Sequence, residues 1–149
     1  MIELAKKQDL DIITNIALQT RNHMLNLGLQ QWVGDYPNSS HFLKDYEKSG
    51  LYVYRSEDNI IASMSVLPED DEAYKEITWL KSNSMVIHRV VVAPLYQKMG
   101  IGIQLFQFAK ELAKANHCES IKVDTHPDNT RMQGLIKKAG FVEVGYLSG

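Results

Sequence analysis

The sequence predicts an α/β (α+β) fold, a mixed sheet with helices on both faces, and three observations carry that reading. Strand-like and helix-like hydrophobic periods alternate along one chain in the order β-α-α-β-β-β-α-β-α-β. Residues 85–93 form a nearly continuous apolar run, broken by His88 and Arg89, as a strand covered on both faces would be. That run passes through a glycine-bearing turn, Gly100-Ile101-Gly102, into a helix start.

Taken in order, Ile2 to Leu4 is a short first strand. Asp9 then caps a helix in which Ile12, Ile13, Ile16, Ala17 and Thr20 recur at helical spacing and which fades before Gly28. Pro37, Asn38 and Ser39 start a second helix with Phe42, Leu43 and Tyr46 on one side, and Gly50 ends it. Leu51–Arg55 and Ile60–Val66 flank the polar Ser56-Glu57-Asp58-Asn59 and read as an antiparallel hairpin. Pro68 to Ser84, with the acidic run Glu69-Asp70-Asp71-Glu72, is a long connection, with strand extended around Ile77 to Leu80. A loop of that length is often functional.

Met85 to Ala93 is the central strand. Ile101 to Ala115 is a helix with a broad apolar face of Leu105, Phe106, Phe108, Ala109, Leu112 and Ala113. Ser120 to Thr125 is another strand. Asp128 or Asn129 starts a shorter helix closed by Gly140, and Phe141 to Tyr146 is a final strand.

Composition bounds the function. A chain of 149 residues fits a single domain, residues 1–149, and 44% apolar with 23% charged residues is ordinary globular usage. Lys and Arg number 16 against 18 Asp and Glu, a net charge of -2, which argues against a dedicated nucleic-acid binder. Cys118 is the only cysteine, so an intrachain disulfide and a multi-cysteine metal site are excluded, a pattern that suits a reducing cytoplasm. No leader-like start occurs, and no run approaches the ~18 apolar residues of a membrane span. His117 and His126 with Asp124 and Asp128 form no recognised ligand set, and no metal is expected.

The strand–turn–helix from Val90 to Ile103 is built to hold an anion. A helix N-terminus leaves about four N–H groups without intrahelical partners and carries roughly half a positive charge, and glycine lets phosphate oxygens approach those amides. A P-loop would need Gly-Lys-Ser or Gly-Lys-Thr, which occurs nowhere. A dinucleotide fingerprint would need glycine where the chain has Leu105.

Gln97-Lys98-Met99-Gly100-Ile101-Gly102 resembles the Q/R-x-x-G-x-G/A hallmark of the GNAT superfamily of acyl-CoA-dependent N-acyltransferases. Asn129-x-x-Met132-x-x-Leu135 through Gly140-Phe141 resembles that family's second signature. The resemblance runs from Met1 to about Tyr146 and implies a mostly antiparallel central sheet whose last family strand is missing after Gly149. Truncation, a shortened natural protein or strand exchange would each account for that gap, and exchange would make a homodimer.

The resemblance implies acetyl-CoA as co-substrate, its pantetheine arm on the backbone of Val90, Val91 and Val92 and against Asn129. The pyrophosphate would lie on the amides from Gln97 or Lys98 through Met99, Gly100, Ile101 and Gly102 to Ile103. Transfer goes to a primary amine of a small molecule or peptide by direct attack, with no nucleic acid or membrane as partner. A neutral amine must lose a proton on attack, and His88, with an ordinary pKa near ~6.5, is the candidate base. Strand alternation puts His88, Val90 and Val92 on one face. A central-strand valine N–H would polarise the thioester carbonyl. Ile136 stands where many relatives carry a proton-donating tyrosine, so the general acid is unassigned. Trp32, Tyr36, Tyr74 and Trp79 fall in segments that line the acceptor side in relatives. The alternatives are a non-catalytic CoA-binding module and an interaction subunit that keeps only the fold.

Overall fold

The computed structural model describes residues 1–26, 39–68, 84–97, 99–116, 118 and 120–123. Within them the chain forms β1 (Ile2–Leu4), a 3-10 turn (Lys7–Asp9), α1 (Leu10–Asn26), α2 (Ser39–Glu47), β2 (Leu51–Ser56), β3 (Asn59–Pro68), β4 (Ser84–Val92), a second 3-10 turn (Pro94–Tyr96), α3 (Ile101–Ala115) and β5 (Ser120–Val123). The strands form one sheet in the order β1-β2-β3-β4-β5. The first three pairings are antiparallel and β4–β5 is parallel, so the sheet is mixed and mostly antiparallel. The expected strand around Ile77–Leu80, the helix from Asp128 or Asn129 and the strand Phe141–Tyr146 lie outside the described residues.

Each face of the sheet is covered by a different helical layer. On one, Leu105, Phe106, Ala109 and Ala113 of α3 pack on Met64, Val66, Ile87 and Val90. On the other, Ile13, Ile16 and Ala17 of α1 and Phe42 of α2 pack on Leu51, Val53 and Val91. Phe42 and Phe106 have no exposed surface, and burying each contributes about 2–3 kcal/mol. The apolar stripe of each N-terminal helix is narrower than its sequence implies. Ile12 and Leu43 sit one residue off the buried line and are 46% and 39% exposed.

Three local devices fix where α1, α2 and the first hairpin sit. Asp9 caps the 3-10 turn ahead of α1: its carboxylate accepts the Lys6 N–H at 2.8 Å, and α1 begins one residue later. Ser49, with φ +58°, is the left-handed residue that closes α2. Its N–H reaches Tyr46 O and the Gly50 N–H reaches Asp45 O, each at 2.9 Å, a Schellman pattern. Glu57 and Asp58, with φ +51° and +69°, form a two-residue turn between Ser56 and Asn59, the I′ geometry that matches strand twist.

Candidate active site

The turn that follows β4 is tied back to the strand it leaves. Ala93 donates its N–H to Ile61 O at 2.9 Å, holding the end of β4 on β3. The Gln97 Nε2 donates to Val92 O at 3.1 Å, and the Thr20 hydroxyl of α1, bonded to Ile16 O at 2.8 Å, stands 3.4 Å from the same carbonyl. The glutamine side chain thus closes the loop that presents the start of α3.

Gly100 is the N-cap of α3 and adopts φ +79°. A Cβ built there meets nothing within 4 Å, so backbone conformation and not crowding demands glycine, and the space above it is open. The first helical bond runs from the Gln104 N–H to Gly100 O at 3.1 Å, which leaves the amides of residues 101–103 ahead of any intrahelical acceptor. The first turn of α3 carries no acidic residue to oppose an anion. Met99 and Gly100 are exposed, Ile103 is half-buried, and Ile101 and Gly102 are buried.

The centre of β4 departs from simple alternation. Val91 pairs with Ser63 and His88 with Ser65, so β4 spends three residues where β3 spends two. Arg89, at φ +54°, is in the left-handed region, the signature of a bulge in mid-strand. Val90 and Val92 consequently pack on the α3 layer. His88 shares the opposite face with its cross-strand neighbour Ser65, whose hydroxyl bonds Asp45 of α2. The expectation that His88, Val90 and Val92 lie on one face is therefore corrected by one inserted residue. Among the described residues β5 pairs with β4 only along Ser84–Ile87, so the bulge begins where that pairing ends. His88 is 8% exposed.

Sequence reasoning missed two residues here. Arg89 Nε donates to Asp45 Oδ2 at 2.6 Å and its Nη2 to Asp45 Oδ1 at 2.7 Å, a two-point pair closed by the Ser65 hydroxyl at 2.5 Å. Asp45 is 2% exposed. An arginine inside an apolar strand was itself the signal, because a buried guanidinium requires a buried carboxylate somewhere in the fold.

The structure thus gathers Val90–Val92, Gln97, Met99, Gly100, Ile101, Gly102 and Ile103 into one strand–turn–helix, with His88 earlier on the same strand. Lys98, Asn129, Trp32, Tyr36, Tyr74 and Trp79 lie outside the described residues, as do His117, His126, Asp124 and Asp128. Cys118 is half-buried against the α3 layer, its N–H on Ala113 O at 2.8 Å. Among the described residues no group of His, Cys, Asp and Glu could hold a metal ion, and no helix is long and apolar enough to cross a membrane.

A glycine-capped helix start preceded by a bulged strand of a mostly antiparallel sheet is the arrangement that known proteins share with this chain. The profile of the acetyltransferase (GNAT) family matches residues 20–141. A candidate acetyltransferase from Staphylococcus aureus is 33% identical, with 97% of this chain and 92% of that one covered and a TM-score of 0.78. The chain belongs to the acetyltransferase (GNAT) family. An acetyltransferase of that family from Streptococcus agalactiae shares the fold at TM-score 0.83 and 22% identity, covering 97% of this chain and 86% of its own. So does AAC(6')-Iy, in complex with the bisubstrate analogue CoA-S-monomethyl-acetylneamine, at TM-score 0.70 and 20% identity over 100% of this chain and 95% of that one. No curated protein matches the chain.

Proposed function

We propose that the chain is an acetyl-CoA-dependent N-acetyltransferase that acetylates a primary amine of a small molecule or peptide by direct attack. The observation that carries this reading is Gly100: a left-handed N-cap beneath open space, at the start of a helix whose first amides precede any intrahelical acceptor. The family membership and a fold neighbour caught with a CoA conjugate support the same reading. The pyrophosphate lies on the amides from Gln97 or Lys98 to Ile103, and the pantetheine follows Val90–Val92, with Asn129 across from it. Acetyl-CoA, when bound, supplies the activated acyl group.

The amine nitrogen attacks the thioester carbonyl carbon, a strand N–H takes up charge on the oxygen, and the C–S bond breaks to release CoA thiolate. The proton lost by the amine passes to His88, directly or through water. The bulge supports that assignment. With the valines turned to the α3 face after it, His88 faces the layer of α1 and α2, the two helices joined by the segment that holds Trp32 and Tyr36, which with Tyr74 and Trp79 are proposed to shape the acceptor site. The one cysteine supports a cytoplasmic setting.

Thiol release across a panel of amines tests the reading. Turnover with one amine class is expected. Acetyl-CoA binding without any turnover would instead favour the CoA-binding module, and absence of binding at millimolar ligand the interaction subunit. His88→Ala is expected to lower kcat about 100-fold and flatten its pH profile, with acetyl-CoA affinity little changed by calorimetry; an unaltered pH profile would remove His88 as base. Gly100→Val fills the open space and opposes the left-handed backbone, so CoA binding is expected to be lost. Normal affinity in that variant would show that the pyrophosphate binds elsewhere.

A further inference from the structure

A charged pair, Asp45 and Arg89, joins α2 to the sheet on the face where α2 also buries Phe42. Exchanging such a pair for apolar residues is often neutral or stabilising, so stability alone gives little reason for it. Its second oddity is conformational, because Arg89 holds φ +54° in mid-strand, where a bulky residue is a genuine outlier. The two oddities share one residue.

We propose that Asp45 is a positioning residue for acetyl transfer, a role that rests on the acetyltransferase reading of the site. Its carboxylate grips both strands at the bulge. Ser65 of β3 donates to Oδ2 at 2.5 Å, and Arg89 of β4 donates to Oδ2 and Oδ1 at 2.6 and 2.7 Å. Ser65 is also the cross-strand partner of His88. One carboxylate therefore fixes the extra residue in β4, the face on which His88 stands and the register at which Val90–Val92 leave the bulge.

The helix carrying Asp45 is itself held at a set height. Gly50 O accepts the Val66 N–H at 2.8 Å, and Gly50 sits so close to β3 that an added Cβ would lie 2.2 Å from Leu67 Cδ2. A clamp mounted on that anchor transmits little slack. Losing the bulge would slip one side of β4 by a residue and put His88 and the valines on the same face. Even a partial shift matters, because reacting groups misplaced by about 1 Å can cost about 100-fold in rate.

The test compares Asp45→Asn and Arg89→Lys with the parent chain, using the amine that the panel identifies. Asp45→Asn keeps the size of the side chain but removes the charge that holds the guanidinium, and Arg89→Lys keeps a charge but loses the two-point fork. Each is expected to lower kcat at least about tenfold while the calorimetric affinity for acetyl-CoA falls by a smaller factor, because the pantetheine strand follows the bulge but the phosphate-binding turn lies beyond it. In isotope-labelled Asp45→Asn the cross-strand nuclear Overhauser contacts between residues 88 and 65 are expected to weaken or vanish.

Glycine adopts the left-handed conformation without an ion pair, so adding Arg89→Gly to Asp45→Asn is expected to restore both the contacts and most of the lost kcat. Should Asp45→Asn fail to fold, Arg89→Lys carries the same two readouts. A folded variant with unchanged kcat, or with parental 88–65 contacts, would overturn the proposal. If the parent chain turns over no amine, the acetyltransferase reading fails, and the 88–65 contacts still decide whether Asp45 holds the bulge.

Discussion

Gly50 and Gly100 are required for opposite reasons, and one pair of substitutions at each separates them. At position 50 the obstacle is a neighbour: a Cβ would meet Leu67 Cδ2 at 2.2 Å and Val66 O at 2.8 Å. At position 100 there is no neighbour within 4 Å and the obstacle is φ +79°. Gly50→Ala is expected to cost about 1–3 kcal/mol as overpacking, and Gly50→Asn more, since the larger side chain has less room. Gly100→Ala is expected to cost about 1–2 kcal/mol, and Gly100→Asn less, because asparagine tolerates the left-handed region. Urea denaturation of the four variants checks this inversion. The same order at both positions would mean that conformation and crowding had been assigned to the wrong glycines.

At the scale of elements, the hairpin of β2 and β3 is closed by the wrong residues for its turn. Glu57 and Asp58 both take positive φ, a geometry in which Asn-Gly is strongly preferred. Glu57→Asn with Asp58→Gly is expected to raise stability by about 0.5–1 kcal/mol and the Tm with it, as replacement by residues suited to the native angles does. A lower Tm would mean that Glu57 or Asp58 makes a contact worth more than its backbone cost. The stem is already reinforced by Arg55, whose guanidinium bonds Glu3 at 2.6 Å and Asp9 at 2.5 Å. Those bonds, Asp9 first and Glu3 second, raise the Arg55 pKa further above its ordinary value.

These elements also mark the limit of what periodicity reveals. Both hairpin strands, the strand β4 and the helix from Ile101 to Ala115 follow from the spacing of apolar residues, and the glycine-capped helix start follows from glycine placement after an apolar run. The bulge does not, because the run from Met85 to Ala93 is apolar on both faces and tolerates an inserted residue without any change in pattern. Ser49 as the left-handed cap was equally hidden. Gly50 beside it is the residue that propensity favours, but a close approach to β3 had already claimed that glycine. In the site, the strand–turn–helix and its glycine cap were legible while the Asp45–Arg89 pair was not, since it joins residues 44 positions apart through the packing of α2 on the sheet.

For the molecule as a whole, the sheet is the layer that both helical coats share, and neighbouring residues of one strand reach into both. Leu51 and Val53 of β2 face α1 and α2, while Tyr52 between them packs toward α3, its ring 5.3 Å from that of Phe108 and tilted by 60°. Burial raises the Tyr52 pKa above its ordinary value of 10.0. The folded state therefore prefers the neutral phenol more strongly than the unfolded chain does. Stability from this group is fully present below the unfolded value and is lost as pH rises through the higher folded value. Raising the pH above about 10 is expected to lower the urea midpoint of the parent chain more steeply than that of Tyr52→Phe, whose ring keeps the Phe108 contact and cannot ionise. The chain has 7 tyrosines, so the difference between the two slopes, not either slope alone, reports on Tyr52. Parallel slopes would mean that burial does not raise the Tyr52 pKa; a flatter slope for Tyr52→Phe would show that the folded state favours the neutral phenol.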